Sequence, residues 1–288
     1  AGGIEEVVGG RKGNSKRGKA FHERTFQIGK RLYMITSTSN NKIKDLTKCM
    51  KNARERRRQD VFIVEGLRMF TEIPEKMHIE TFATEAFYER NKELFHNISY
   101  ELVTEHIMEA VSDTKTPQGV ISMVKRYHYT REEMCGRENP LIMALENIQD
   151  PGNLGTIIRT AEGAGVTGII MSRDTVDIYN PKVVRATMGS IFRLPFCYVE
   201  NLTKCIQDFN NQNFQTYSAH LQGNSFYDYD YRQPTIFCIG NEGNGLSREL
   251  SNATNSKIRI PMKGKVESLN AATASTVLMY EAMRQRTT

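Results

Sequence analysis

No stretch of the chain approaches the roughly 18 consecutive apolar residues that a membrane span requires. The first residues pass from Gly, Glu and Val to basic side chains without the apolar core of a secretory signal. A cytoplasmic protein is therefore expected. Cysteines stand at 49, 135, 197, 205 and 238, an odd number without a Cys-x-x-Cys pair. That pattern supplies neither a disulfide framework nor a zinc site, and it implies reduced, mostly buried thiols. Gly-x-Gly-x-x-Gly is missing, and no glycine-rich stretch leads into Lys-Ser or Lys-Thr, so dinucleotide and phosphate-loop sites lack their fingerprints. No side chains have metal-ligand spacing, and no metal is expected. No repeat at solenoid period is present.

The 288 residues suffice for two modest domains, and 39% hydrophobic with 25% charged residues is ordinary for a globular protein. The formal net charge of +6 is unevenly spread. Residues 1–60 hold sixteen Lys or Arg against six acidic residues, leaving 23 against 27 for the remainder. The densest parts are Arg11–Lys19 (RKGNSKRGK) and Lys51–Gln59 (KNARERRRQ). Clustered cations suit a polyanion, most simply a nucleic-acid backbone, although a solvated tail and a charged outer helix face give the same pattern.

Beyond a basic extension over residues 1–30, Asn40–Gln59 reads as one helix, with Ile43, Leu46, Cys49, Met50 and Ala53 at helical spacing. Strand-like VFIVEG follows. Helices near Leu67–Ile73 and Ala86–Leu94 and from Glu105 then alternate with strands IETFAT, ISYELV and GVISMV. Strands alternating with helices predict an α/β layer fold for residues 31–126. Residues 127–140 lose periodicity and end in Pro140, as a linker would. From Leu141 the alternation resumes with LIMALEN, apolar enough for a strand buried on both faces. Helices near Asn153–Gly165, Lys182–Ile191, Leu202–Asn210 and from Ser247 separate strands GIIMS, FCYVE, FQTYSAHL, TIFCIGNE and KIRIP, and a last helix closes residues 141–288. A parallel, doubly wound sheet follows, with ligands outside the carboxyl ends of its strands.

Three strand-end loops stand out. Glu146–Gly165 carries Asp150-Pro151-Gly152, turn chemistry after a strand, then Asn153 and Arg159 on the helix beyond. Phe237–Ser247 has glycines at 240, 243 and 245 around Glu242. These permit positive φ or close backbone approach to a ligand, and the acidic residue argues against a phosphate cradle. In the third, Ser268 can cap a last helix that opens on Ala271-Ala272-Thr273-Ala274-Ser275. Met262, Gly264 and Leu269 could wall an apolar slot, with Ser268 and Asn270 supplying hydrogen bonds. Taken singly, each loop also reads as a well-capped turn or tight core packing.

In order and spacing, Asn153-Leu-Gly155-Thr-Ile-Ile-Arg159, Gly240-Asn241-Glu242-Gly-Asn-Gly245 and Ile260-Pro-Met262 followed by Ser268-Leu269-Asn270 resemble the SpoU/TrmH class of SPOUT RNA methyltransferases. The resemblance covers Leu141 to the end through these motifs. More loosely, the first half looks like the small α/β RNA-binding domain that many of these enzymes carry ahead of the catalytic one. Ala271-Ala272 departs from the Val and Ser often found there. The resemblance implies a C-terminal α/β domain tied in a deep trefoil knot, with S-adenosylmethionine bent inside it. It implies a homodimer, and transfer of the methyl group to a ribose 2′-hydroxyl of RNA, ribosomal RNA by default, with transfer RNA as the alternative. Backbone around Gly240, Asn241, Gly245, Ile260, Met262 and Leu269 would hold the donor. Arg159 matches the family's catalytic arginine. Too weakly acidic to serve as an ordinary base, it would position phosphate and stabilise charge, while Asn153, Glu242, Ser268 and Asn270 orient it and the ribose. Two other readings compete. A module of the same fold could hold RNA without catalysis, against which intact Asn153, Arg159, Glu242 and Asn270 argue. A dinucleotide-dependent oxidoreductase would need the missing phosphate fingerprint.

Overall fold

Asparagine side chains set the first two helices. Asn40 accepts from Lys42 N at 2.9 Å and starts α1 (Asn41–Lys51), which buries Ile43, Leu46, Cys49 and Met50. The single helix expected through Gln59 is broken at Asn52, whose backbone is extended and whose side chain accepts from Arg54 N to start α2 (Ala53–Gln59). Asparagine competes for backbone N–H groups and is better as a cap than inside a helix. The break has a consequence for charge. Arg54, Arg57 and Arg58 are exposed, but Arg56 is buried and paired with Asp177 at 2.6 Å. The computed structural model describes residues 34–241 and 243–287. The expected extension over residues 1–30 and Glu242 lie outside them.

β1 (Val61–Glu65) is buried along its length and turns at Gly66, φ +92°, into α3 (Leu67–Phe70), one turn rather than the run to Ile73 expected. Then come β2 (His78–Thr84), α4 (Glu85–Arg90), β3 (Tyr100–Val103), α5 (Glu105–Val111) and β4 (Val120–Lys125). Thr84 and Thr104 cap α4 and α5 through their side chains. The four strands lie in the order β1-β4-β2-β3, with β4 antiparallel to both neighbours.

The aperiodic segment 127–140 contains a helix too short to show a period. Thr130 and Glu133 form a reciprocal capping box that opens α6 (Arg131–Cys135). Met134 is fully buried over Gly168, where a Cβ would stand 2.3 Å from the Met134 side chain. Tyr127 and Tyr129 stack with centroids 5.3 Å apart. The Tyr179 hydroxyl accepts from Tyr127 N and donates to Tyr127 O.

The second half builds a six-stranded, wholly parallel sheet: β5 (Leu141–Leu145), α7 (Pro151–Gly163), β6 (Gly168–Ser172), α8 (Pro181–Ala186), β7 (Phe196–Val199), α9 (Leu202–Asn210), β8 (Gln215–Ser225), β9 (Thr235–Ile239), α10 (Arg248–Ala253), β10 (Ser256–Arg259) and α11 (Ala271–Thr287). The strand order is β10-β8-β9-β5-β6-β7. The chain therefore winds outward from β5 in one direction and returns to its other side at β9, a topological switch point. α8 stops at Ala186, short of the expected Ile191, where Thr187 ends it and Gly189 at φ +98° leads into a 3₁₀ turn over Ser190–Phe192.

One apolar cluster runs through both halves. Phe62 of β1 meets Tyr179 at 4.8 Å and Phe192 at 6.1 Å between centroids, and the same cluster holds Met143, Phe237 and Leu278. The opposite face of the large sheet buries Ile142, Ile170, Ile206 and Leu250.

At Gly155 α7 lies almost in contact with α8. A Cβ there would stand 2.4 Å from Ala186 Cβ and 3.0 Å from Val183 O. Gly155→Ala should force the helices apart and destabilise the fold by about 1–3 kcal/mol, the cost of overpacking. Denaturant unfolding should show this as a lower midpoint with an unchanged slope.

Candidate active site

The site begins where β5 and β9 end side by side. Two crossings tie their loops together. The Glu146 carboxylate accepts from Ser247 N and Ser247 Oγ, both at 2.7 Å, and Asn241 Nδ2 donates to Asn147 O at 2.9 Å. Within the glycine loop, Gly245 N donates to Asn241 O at 2.9 Å and Gly243 N to Asn241 Oδ1 at 2.8 Å. A Cβ on Gly240 would lie 2.2 Å from Gly245 C. The glycine at 240 is thus required by the loop folding back on its own backbone, and Gly245 by its φ of +67°. This refines the expectation that these glycines serve ligand approach.

Between this loop, the end of β8 and the segment entering α11 lies a cavity of about 430 Å³. All six residues anticipated on the donor side line it, Gly240, Asn241, Gly245, Ile260, Met262 and Leu269, and so does Ser268. Ala219, His220, Leu221 and Gln222 line it as well, and no motif pointed to them. They owe their place to a register shift. β8 pairs Ser218 with Lys257, then Asn224 with Ile258, so the residues between are extruded over the cavity. Gly223 permits this, since a Cβ there would be 2.6 Å from Ile258 backbone. The strand-end rule for parallel sheets was the available signal; the shift itself has no sequence signature.

The small residues opening α11 divide between two tasks. Ala271 and Ala274 line the cavity. Ala272 and Ser275 are buried, with Ser275 Oγ returned to Ala271 O at 2.7 Å. Ser268 does not cap the helix as expected. Asn270 does, its Oδ1 accepting from Ala272 N at 2.9 Å and Thr273 N at 3.4 Å. Its Nδ2 then donates to Asn153 Oδ1 at 3.0 Å. Asn153 sits in the first turn of α7, its N–H bonded to the capping carboxylate of Asp150 at 2.7 Å. The two asparagines therefore join the N-termini of α7 and α11, where unpaired backbone N–H groups favour anionic ligand atoms.

Arg159 is set apart from this pair, roughly 9 Å further along the α7 axis. Its side chain is exposed, and no hydrogen bond or ion pair joins it to any described residue. Among the described residues no cluster of His, Cys, Asp and Glu could hold a metal ion, and no helix is long and apolar enough to cross a membrane.

Comparison with known proteins gives the family of the chain. Residues 140–280 match the SpoU rRNA Methylase family, and residues 40–122 match the MRM3-like substrate binding domain. An uncharacterized tRNA/rRNA methyltransferase of Synechocystis is 32% identical over 260 residues, covering 88% of this chain and 94% of its own. The chain belongs to the SpoU methylase family. The 23S rRNA (guanosine(2553)-2′-O)-methyltransferase RlmP of Bacillus subtilis is 29% identical over 248 residues, 85% of this chain and 97% of its own. Among solved structures, the SpoU methyltransferase AviRb from Streptomyces viridochromogenes, crystallised with AdoMet, superposes with a TM-score of 0.77 at 27% identity, covering 86% of this chain and 98% of that one.

The cap assignment separates two neighbouring polar residues. Asn270→Ala should lower stability by about 1 kcal/mol, the usual cost of a lost N-cap, whereas Ser268→Ala should leave the thermal midpoint unchanged. Differential scanning calorimetry of both variants decides between them.

Proposed function

We propose that this protein transfers a methyl group from S-adenosylmethionine to a ribose 2′-hydroxyl of RNA, with ribosomal RNA as the first candidate and transfer RNA as the second. The observation that carries this reading is the convergence of three separate strand-end segments on one cavity, with Asn153 and Asn270 bonded beside it. At about 430 Å³ the cavity has the size of a small-molecule site. Ile239, Ile258 and Leu269 give it apolar walls, and the glycine loop brings backbone to its edge. These features fit the donor. S-adenosylmethionine, when bound, supplies an electrophilic methyl group on a positive sulfur.

The protein's part is to hold and align. Gly240, Asn241 and Gly245 shape the loop at the donor's polar end, while Ile260, Met262 and Leu269 exclude water from its apolar flank. Asn270 fixes the entry to α11 and, through Asn153, the start of α7. Ser268 stands on the polar rim toward the ribose, and Glu242, outside the described residues, keeps the orienting role that the family resemblance gives it. Arg159 holds an RNA phosphate and offsets the negative charge that develops on the 2′-oxygen. Residues 141–288 form the donor-binding part and residues 31–126 the part that holds RNA, with the exposed Arg54, Arg57 and Arg58 facing its backbone. Threading of the segment before α11 through the glycine loop would make the knot. A second copy would pack beside it, where Met262, Val266 and Tyr280 are exposed apolar side chains. We take the compartment to be the cytoplasm, where such RNA is found.

Two substitutions separate holding the donor from reacting it. Ala274→Leu fills the cavity and should weaken donor binding about tenfold or more in a folded protein, read by calorimetric titration. Arg159→Ala should leave donor affinity within a few-fold and lower single-turnover methyl transfer by roughly 10², the scale of a lost preorganised charge. Arg159→Lys should recover little, since an ammonium lacks the planar fork that grips phosphate. Near-normal transfer by Arg159→Ala would remove it from the chemistry. Mapping ribose methylation in RNA from cells with and without the protein identifies the target and decides between ribosomal and transfer RNA.

A further inference from the structure

α7 carries Arg159 on a defined face. Gly155, Arg159 and Glu162 are spaced four and three apart, so they share one stripe of the helix. Both neighbours of Arg159 on that stripe are engaged with the residues that connect the two halves of the molecule. Glu162 accepts from Arg193 Nε at 2.6 Å and from Ser190 Oγ at 2.8 Å. The same Arg193 reaches across through Nη1 to Glu72, which follows α3 in the first half. Glu72 lies against Gly189, where a Cβ would stand 3.0 Å from its Cγ.

At the other end of the stripe, Gly155 rests on Ala186, the residue after Arg185. Arg185 Nη2 donates to Asp113 Oδ2 at 2.8 Å, and its buried Nη1 stands 3.6 Å from Glu65 Oε2. Glu65 closes β1, is only 5% exposed in its side chain, and accepts from Ser112 Oγ and, at 2.8 Å, from Thr114 Oγ1. One carboxylate thereby organises residues 112–114 of the first half and faces the arginine of the second.

We propose that Arg185 and Arg193 are positioning residues: by bracing α7 against Glu65, Asp113 and Glu72, they set where Arg159 stands relative to RNA held by the first half. This rests on the methyltransferase reading above. Neither arginine touches the donor cavity, which is lined from β8, β9, β10 and α11. The Arg193, Glu72 and Glu162 side chains are each between a third and a half exposed. Half-exposed ion pairs add little to stability, so their removal leaves a folded protein and isolates the effect on position. The Arg193 guanidinium holds the Glu162 carboxyl below its usual range. The Arg193–Glu162 pair is therefore complete at neutral pH and is lost only as pH falls through that lowered value.

The test uses the full chain, tritiated S-adenosylmethionine, and ribosomal RNA prepared from cells lacking the protein. Arg193→Ala, and separately Arg185→Lys, which keeps a cation against the buried Glu65, should each keep donor affinity within twofold and RNA affinity within about threefold. Single-turnover transfer at saturating enzyme should fall roughly 10- to 100-fold, the scale expected when reacting groups are displaced by about an ångström. Arg193→Lys in place of Arg193→Ala should recover part of the rate, since it can meet one of its two carboxylates. Variants that transfer at the wild-type rate overturn the proposal, as does a rate loss matched by equal losses of donor and RNA affinity, which marks mere misfolding. A wild-type protein that labels no RNA overturns the functional reading itself and this proposal with it.

Discussion

The site depends on one constraint, the tie between the ends of β5 and β9. Those strands are neighbours because the sheet reverses its winding between them, and a parallel sheet leaves a crevice at such a point. The crevice keeps its shape through the Glu146 carboxylate, which takes two donors from Ser247, and through Asn241, which bonds outward to Asn147 and inward to its own loop. The two bonds to the Glu146 carboxylate are charge-assisted, a kind worth about 1.5–3 kcal/mol each. They fix a loop whose glycines would otherwise leave it among the most mobile parts of the chain. Ser247 is at the same time the N-cap of α10, its Oγ accepting from Leu250 N at 3.1 Å. One hydroxyl thus couples the loop to the helix that follows and, through Glu146, to the loop that opens α7.

The order of strands and helices was legible because burial imposes it. β5 and β9 are buried at every position and apolar at all but Thr235, which only a strand covered on both faces requires. Six of the residues that line the cavity were named from the sequence for a different reason, through two short motifs of a family resemblance. What stayed hidden depends on geometry that no local pattern encodes. The break at Asn52 needs a choice between continuing and capping that the apolar spacing of α1 does not settle. α6 is too short for a period. The residues extruded from β8 reach the cavity because of its register against β10, a strand more than 30 positions away. Asn270 rather than Ser268 caps α11 because the side chain that meets Asn153 is also the one placed to accept the helix's first N–H groups.

The shared core explains why the segment between the halves is ordered into contacts. Phe62 and Tyr179, Tyr127 and Tyr179, and Met134 over Gly168 each join parts of the chain that composition alone assigns to separate units. The apolar contacts among these are nondirectional. It holds the halves together without specifying their rotation to within the fraction of an ångström that group transfer demands. Directional contacts must supply that, and here they are ion pairs of arginine.

The arginines of the two halves therefore fall into two kinds. Arg56, Arg185 and Arg193 are each engaged by carboxylates of the opposite half or of α7, and a guanidinium so engaged has its charge committed within the protein. Arg159 lies on the same side of α7 as the braced Glu162, yet no described residue pairs with it. Five donors and a permanent charge left in solvent beside a rigid, braced helix have low cost to reorganise when a phosphate arrives. Under the proposed function that contrast is what the fold provides: carboxylates consume the arginines that set geometry and leave Arg159 unconsumed to meet RNA at the site of transfer.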